Sequence, residues 1–223
     1  MESDTMTEPD PVKLVVFVSG GGTNLQAILD RINDGSLPGV IVIGVIASRQ
    51  STFAEERARR AGIPVEVVTR GNQESIAEYD ARMLAVLAAF PAGPPDLIVL
   101  AGFLSMLGPR LVAEYQGRLI NVHPALIPSF CGAGMYGLRP HEAALARGVK
   151  VTGATVHFVN ENYDEGPIIL QKCVAVLPDD TPESLQLRVM QECEQVILPE
   201  AIRLIAAERI YIEGNKVRFR EEK

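Results

Sequence analysis

The sequence predicts an α/β fold: a central, mostly parallel, twisted sheet of about seven strands with helices on both faces. Apolar runs of strand length alternate along the chain with stretches whose apolar residues recur at helical spacing. The first strand leads directly into a glycine-rich turn and a helix, which starts a right-handed βαβ unit. The chain has 223 residues, 47% hydrophobic and 22% charged, a composition that suits one domain with a large buried core.

The composition also argues against several classes of protein. The formal net charge is -7 and no Lys/Arg-rich block occurs, which disfavours a nucleic-acid surface. Cys131, Cys173 and Cys193 are far apart, so neither a metal site nor a disulfide framework is indicated, and the cytoplasm is the expected compartment. No apolar run approaches the roughly 20 residues of a membrane span, so no membrane partner is expected. The acidic residues 1–11 predict a disordered tail rather than a signal peptide.

The first element is a strand over residues 12–18, apolar enough to be covered on both faces. It continues into Ser19-Gly-Gly-Gly-Thr-Asn24 and then a helix ending near Asp34. Backbone N–H groups at such a helix start can bind an anion, and Thr23 or Asn24 is expected to cap the helix or bind the ligand. The spacing is neither Gly-x-Gly-x-x-Gly nor a Walker A loop, and a tight turn without a ligand is the alternative.

The remaining elements of a Rossmann-like first half follow in alternation. Strands are predicted over residues 40–47, 65–68 and 96–100, and helices over 53–61 and 76–90. Ligands of parallel sheets bind beyond the carboxyl ends of the strands. The glycine-rich loop and the turn after residue 100 lie at such ends, so we expect them to line one cleft.

A strand over residues 119–122 ends at His123 and Pro124, because proline cannot donate to a sheet. Asn121 and His123 are two residues apart and therefore point to the same face of that strand. An amide donor beside an imidazole suits chemistry at a carbonyl group. The alternative is a pair of polar side chains satisfied by the turn itself.

The second half mixes strand directions. Residues 128–140 are rich in glycine and predict a mobile flap over the cleft, followed by a helix over 141–147. Strands over 152–160 and 168–176 are joined by a short loop and are expected to be antiparallel. Thr181 is predicted to cap a long helix that runs past Pro199, and a hairpin over 210–219 ends the chain. No linker is apparent, so residues 12–223 are expected to form one domain.

Five motifs in this order carry a resemblance to a known family. They are Ser19-Gly-Gly-Gly-Thr-Asn24, Leu100-Ala-Gly-Phe103, Asn121-Val-His-Pro124, Gly153-Ala-Thr-Val-His157 and Tyr163-Asp-Glu-Gly-Pro167. From about residue 12 to about residue 219 the sequence resembles the phosphoribosylglycinamide formyltransferases. The resemblance implies the single-domain formyltransferase fold and an enzyme of de novo purine biosynthesis. It would transfer the formyl group of 10-formyltetrahydrofolate, its co-substrate, to the amine of glycinamide ribonucleotide, without a metal.

The resemblance also implies roles for individual residues. Asn121 would donate to the oxyanion, His123 would stabilise it and act as general acid, and Asp164 would raise the pKa of His123 and relay the amine proton through water. Residues 12–100 would bind the ribonucleotide phosphate, and residues 101–223 would bind folate and carry the catalytic groups. The implied substrate contacts are Gly21, Gly22, Thr23, Asn24, Gln191 and Glu194. The implied folate contacts are Leu104, Ser105, Met106, Leu107, Asn121, Asn160, Glu161, Asn162, Tyr163 and Asp164.

The sequence departs from the family pattern in places. Ser105 and Ile76 stand where better-known members carry arginines on the folate side, and the flap is several residues longer than usual. These changes bear on affinity for folate, not on the type of reaction. His141 is expected to be structural, and for His157 packing in the core or in support of the site residues is favoured over catalysis.

Three other functions are weighed against this one. A formyltetrahydrofolate hydrolase normally has a regulatory domain ahead of this fold, and methionyl-tRNA formyltransferase needs an RNA-binding domain after it. A noncatalytic folate- or nucleotide-binding module need not keep Asn121, His123 and Asp164 together. The sequence leaves the oligomeric state open, with a homodimer as one alternative.

Overall fold

The structure, a computed structural model, describes residues 10–221, so residues 1–9 of the predicted tail lie outside the described residues. The strands are Val12–Val18 (β1), Val40–Ala47 (β2), Val65–Val67 (β3), Leu97–Leu100 (β4), Leu119–His123 (β5), Val151–Phe158 (β6), Ile168–Ala175 (β7), Ile210–Glu213 (β8) and Lys216–Phe219 (β9). The α-helices are Thr23–Asn33 (α1), Phe53–Arg60 (α2), Ile76–Ala88 (α3), Pro109–Glu114 (α4), Arg139–Arg147 (α5), Pro182–Val189 (α6) and Gln195–Ala206 (α7). A π-helical turn, Met190–Glu194, joins α6 to α7.

The main sheet has seven strands in the order β3-β2-β1-β4-β5-β6-β7. The pairs from β3 to β5 are parallel, whereas β6 is antiparallel to both β5 and β7. The predicted fold class and the antiparallel end of the sheet are therefore confirmed. The strand order reverses beside β1, so a crevice opens between the carboxyl ends of β1 and β4. The backbone N–H of Leu104, just after β4, donates to Ser19 Oγ, just after β1, across this crevice.

The sheet is covered on both faces, which explains why β1 is apolar apart from Lys13. Val16 and Val18 pack into a core that includes residues of α1 and α7. Val15 and Phe17 pack into a second core that includes residues of α3 and α4. No helix within residues 10–221 has the length and apolar character needed to cross a membrane.

Helix α4 was not predicted, because its cap is not local. The carboxylate of Asp80, in α3, accepts hydrogen bonds from the backbone N–H groups of Gly108, Arg110 and Leu111 at distances of 2.7, 3.1 and 3.2 Å. These donors lack partners within the helix itself. A capping residue so far away in the sequence leaves no nearby signal for the start of a helix.

The predicted single helix after Thr181 divides into α6, the π-helical turn and α7. Thr181 caps α6 as expected. The N–H of Gln195 bonds to the carbonyl of Met190, five residues earlier, which defines the π turn. Pro199, inside α7, has no N–H to offer the carbonyl four residues before it, so regular bonding is already interrupted in this region. A periodicity of 3.6 residues cannot reveal the extra residue of a π turn.

Candidate active site

A cavity of about 850 Å³ lies at the carboxyl ends of β1, β4 and β5. It brings together every predicted site residue except Gln191. The predicted residues that line it are Gly21, Gly22, Thr23, Asn24, Leu104, Ser105, Met106, Leu107, Asn121, His123, Asn160, Glu161, Asn162, Tyr163, Asp164 and Glu194. Gln191 is exposed and outside the lining, whereas Gln186 and Met190 line the cavity and were not predicted. The π turn changes which residues of this segment face the cavity.

The glycine-rich loop is pressed against α2. Gly22 has a φ of 69°, and a Cβ atom there would lie 2.7 Å from atoms of Ala54, so the position requires glycine. The carbonyl oxygen of Gly20 accepts from the N–H of Ala54. Gly22 is the N-cap of α1 and no side chain caps this helix, so of the two roles expected for Thr23 or Asn24 capping is excluded and ligand binding stays a prediction. The N–H groups of the first turn have no partners within the helix and can meet an anion.

Side chains of the first turn of α1 contact the π turn. Asn24 Nδ2 donates to Glu194 Oε2 at 2.7 Å, and Thr23 Oγ1 donates to Met190 Sδ at 3.1 Å. Burial raises the pKa of Glu194, and the hydrogen bond from Asn24 opposes this effect. Asn24 Oδ1 is buried without a hydrogen-bond partner among the described residues. This corner of the cavity therefore presents an acceptor and a carboxyl group, a pair suited to the hydroxyl groups of a sugar.

Asp164 lies between two histidines. Its Oδ2 is 3.6 Å from Nδ1 of His123, and its Oδ1 is 3.5 Å from Nε2 of His157. Asn121 is the cross-strand partner of His157, and Asn121 Nδ2 lies 3.2 Å from the same Nε2. His157 thus joins Asn121 to Asp164, and Asp164 in turn contacts His123.

His157 is buried and supports the site residues through these contacts, as one of the two packing roles expected for it. Its Nδ1 lies 2.8 Å from the carbonyl oxygen of Phe158 and donates to it in a neutral ring. In that tautomer Nε2 accepts from Asn121 and leaves one amide hydrogen for another acceptor, whereas in the protonated ring Nε2 donates to Asp164 Oδ1 instead. Alternation along β6 placed His157 on one face, but only the register with β5 sets it opposite Asn121.

The electrostatics of His123 combine opposing effects. Burial lowers the pKa of His123, and the Asp164 carboxylate and the Phe130 carbonyl raise it. Burial has the larger effect, so the pKa of His123 is lowered overall. Asp164 does act to raise this pKa, as expected, but it does not reverse the decrease. Burial also acts to raise the pKa of Asp164, but His157, His123 and the Gly132 N–H together lower it below its usual value. Asp164 is accordingly ionised beside a ring whose charge is disfavoured.

The predicted flap contacts two of the three catalytic candidates, His123 and Asp164. His123 Nε2 lies 2.9 Å from the Phe130 carbonyl oxygen, and the Gly132 N–H donates to Asp164 Oδ2 at 2.8 Å. Phe130 and Asp164 have φ values of 51° and 55°, in a region that residues other than glycine rarely adopt. Such backbone strain is often concentrated at functional sites.

Apolar side chains also line the cavity. Leu104, Met106, Tyr136 and Tyr163 line it and are each about half exposed, an arrangement that suits a flat ring system. Ile76 and Ser105 also line the cavity, so the two departures from the family pattern lie within it.

Two other candidates, His141 and Cys131, are absent from the lining of this cavity. His141 is fully buried outside the cavity lining, and neither ring nitrogen has a hydrogen-bond partner among the described residues. Burial lowers the pKa of His141 to about 4. Burial also raises the pKa of Cys131, which disfavours its thiolate. Within residues 10–221 there is no group of three or more His, Cys, Asp or Glu side chains placed to hold a metal ion.

Comparison with known proteins gives a consistent result. Residues 12–202 match the family described as formyl transferase. The chain is 40% identical over 204 residues to the chloroplastic phosphoribosylglycinamide formyltransferase of Arabidopsis thaliana, covering 91% of this chain and 68% of that protein. It is 36% identical over 204 residues to the phosphoribosylglycinamide formyltransferase of Escherichia coli, covering 92% of each. The crystal structure of glycinamide ribonucleotide transformylase 1 from Symbiobacterium toebii is similar with a TM-score of 0.88 and 40% identity over 98% of both chains.

Proposed function

The chain belongs to the formyl transferase family, and from that premise we propose that it transfers the formyl group of 10-formyltetrahydrofolate to the amine of glycinamide ribonucleotide. The products are the N-formyl ribonucleotide and tetrahydrofolate, a step of purine biosynthesis. One observation carries the proposal: Asn121, His123 and Asp164 line the same cavity as the glycine-rich loop. An amide donor, an imidazole and a carboxylate beside an anion site are the groups that this reaction requires.

Attack of the amine on the formyl carbon forms a new C–N bond and converts the formyl oxygen to an oxyanion. We assign Asn121 as a donor to that oxygen, because His157 orients its amide and leaves one amide hydrogen available. A positioned donor to a developing oxyanion contributes about 3 kcal/mol to catalysis. The bond between the formyl carbon and the folate nitrogen then breaks, and that nitrogen must gain a proton.

We assign His123 as the group that supplies this proton. Nε2 lies 2.9 Å from the Phe130 carbonyl oxygen and Nδ1 lies 3.6 Å from the Asp164 carboxylate, and both neighbours favour the protonated ring. Burial lowers the pKa of His123, so the proton is held weakly and is readily given up. The attacking amine loses a proton, which Asp164 receives through water and returns to His123. The proton balance of the transfer is then closed within the site.

The two substrates occupy opposite parts of the cavity in this proposal. The phosphate meets the N–H groups of Gly22, Thr23 and Asn24, and the ribose hydroxyls meet Glu194, whose carboxyl group is held by Asn24. Gln191 is not retained as a contact, since its side chain is outside the cavity lining. Residues 12–100 supply the phosphate site in this proposal. The ribose contact Glu194 belongs to residues 101–223, so both parts of the chain bind the ribonucleotide.

The pterin ring lies between residues 104–107 and residues 160–164 in this proposal, and both segments line the cavity. Ser105 and Ile76 offer no positive charge to the glutamate tail of folate, so we expect the tail to add little to affinity. We also propose a cytoplasmic location, and a homodimer is the oligomeric state to test first by sedimentation.

The test is a spectroscopic assay of the purified chain with 10-formyltetrahydrofolate, run with and without glycinamide ribonucleotide. Formation of tetrahydrofolate that depends on the ribonucleotide supports the proposal. Release of formate at the same rate without the ribonucleotide would instead identify a hydrolase. Binding of both ligands without turnover would identify a noncatalytic module.

A further inference from the structure

Arg49 is the only lysine or arginine among the residues, all within 10–221, that line the cavity. It follows β2 directly. The preceding residue, Ser48, shares a hydrogen bond between hydroxyl groups with Ser19, and the Ser48 N–H donates to the Val18 carbonyl. Arg49 is thus attached to the segment that begins the glycine-rich loop.

The guanidinium of the exposed Arg49 has no hydrogen bond or ion pair with any other described residue, unlike three arginines of α2. Arg57 donates to the Gly21 carbonyl and to Gln26, and Arg59 and Arg60 each pair with a glutamate. Those arginines are engaged in the structure of α2. Arg49 is an arginine at the cavity with its donors unused.

The other charged side chains of the lining are acidic: Glu161, Asp164 and Glu194. Both proposed substrates carry negative charge, as a phosphate at one end of the cavity and as glutamate carboxylates at the other. N–H groups at a helix start supply only about half of a positive charge. A phosphate beside this acidic lining therefore gains much from a full positive charge, and a guanidinium matches its oxygens with paired donors.

The position of Arg49 indicates which of the two anionic groups, the phosphate or the glutamate tail of folate, it contacts. Arg49 leads into α2, whose Ala54 and Ala58 share a core with Leu25 of α1. The helix that begins at Ile76, on the folate side, packs into the core on the other face of the sheet. We propose that Arg49 pairs with the phosphate of the ribonucleotide and sets the preference for a phosphorylated substrate. This inference rests on the proposed function and deepens it.

The test compares Arg49→Ala with Arg60→Ala, which removes the same charge from an exposed pair on α2. We expect Arg49→Ala to raise KM for glycinamide ribonucleotide about tenfold, with kcat and KM for formyl folate within about twofold. Arg60→Ala should leave all three unchanged. The effect of Arg49→Ala should vanish when the unphosphorylated glycinamide riboside replaces the ribonucleotide, and Arg49→Lys should restore part of the affinity.

A binding measurement separates this inference from the proposed reaction. Calorimetry with ribose-5-phosphate should show weaker binding to Arg49→Ala than to the wild type, whether or not the protein transfers formyl groups. An equal loss with the unphosphorylated riboside, or a rise in KM for formyl folate alone, would overturn the assignment. So would unaltered binding of ribose-5-phosphate.

Discussion

The carboxylate Oδ2 of Asp164 lies 3.6 Å from Nδ1 of His123. His123 ends β5, whereas Asp164 is in the loop that follows β6. The antiparallel pairing of these two strands brings the residues together, and the Gly132 N–H holds the carboxylate in place. An ionised carboxylate beside a buried imidazole is able to stabilise the imidazolium that forms during proton transfer.

Replacing Asp164 by Asn should therefore reduce turnover rather than binding. The amide keeps the shape of the side chain but cannot stabilise a positive ring, so we expect kcat to fall by about a thousandfold or more. Both KM values should stay within about threefold of wild type. Steady-state kinetics check this, with the exposed Asp179→Asn as a control. Weak ribonucleotide binding with normal turnover would be the opposite of the expected pattern.

The contact between Asp164 and His123 also predicts how the pKa of His123 changes when Asp164 is replaced. Burial lowers the pKa of His123, and Asp164 partly offsets the decrease, so Asp164→Asn should lower the pKa further. Proton NMR can follow the ring as the pH is varied, since the chain has only three histidines. The His123 signal should titrate below 6.5 in the wild type and at still lower pH in the variant. A variant in which this pKa rises would contradict the assigned interaction.

The contacts between α1 and the π turn predict effects on the ribonucleotide alone. Asn24→Ala removes the hydrogen bond to Glu194 and leaves a buried carboxyl group without its partner. We expect Asn24→Ala to raise KM for the ribonucleotide about tenfold and Thr23→Ala to raise it less, with little change in KM for formyl folate. Asp30→Asn, on the exposed side of α1, serves as the control. Kinetics in which Asn24→Ala leaves the ribonucleotide KM unaltered would remove this corner from the substrate site.

His141 predicts a dependence of stability on pH. Its pKa is about 4 in the folded protein and near 6.5 when the chain is unfolded. Between these values the unfolded chain binds more protons, so stability falls as the pH decreases through this range. The loss from this residue between pH 7 and pH 5 is about 2 kcal/mol. Urea unfolding should show a smaller decrease for His141→Leu than for the wild type. Equal decreases would mean that His141 does not hold this pKa in the folded protein.

Much of the fold could be predicted because its signals are local. Apolar runs of strand length, glycine after β1 and the Thr181 cap each depend on neighbouring residues, and these elements are present in the structure. Helix α4 could not be predicted in the same way, since Asp80 caps it from α3. The π turn escaped prediction because it breaks the helical period.

The residues of the candidate site likewise fall into those that local sequence reveals and those that only the tertiary structure places. Asn121 and His123 could be found together because two positions along one strand share a face. The contact of His157 with Asn121 depends on strand register, and the exclusion of Gln191 depends on the π turn. Arg49 lacked a sequence signal, since an arginine in a loop is ordinarily a solvated side chain. Its place in the cavity depends on the packing of α2 against the glycine-rich loop.

The most direct measurement is formyl transfer from 10-formyltetrahydrofolate to glycinamide ribonucleotide by wild type and His123→Ala, with ribonucleotide binding measured in parallel by calorimetry. If His123 delivers the proton to the leaving folate nitrogen, the wild type transfers the formyl group and the variant loses at least about a hundredfold in kcat while still binding the ribonucleotide. A variant that transfers formyl groups at the wild-type rate would contradict the assigned role of His123 and, with it, the proposed mechanism.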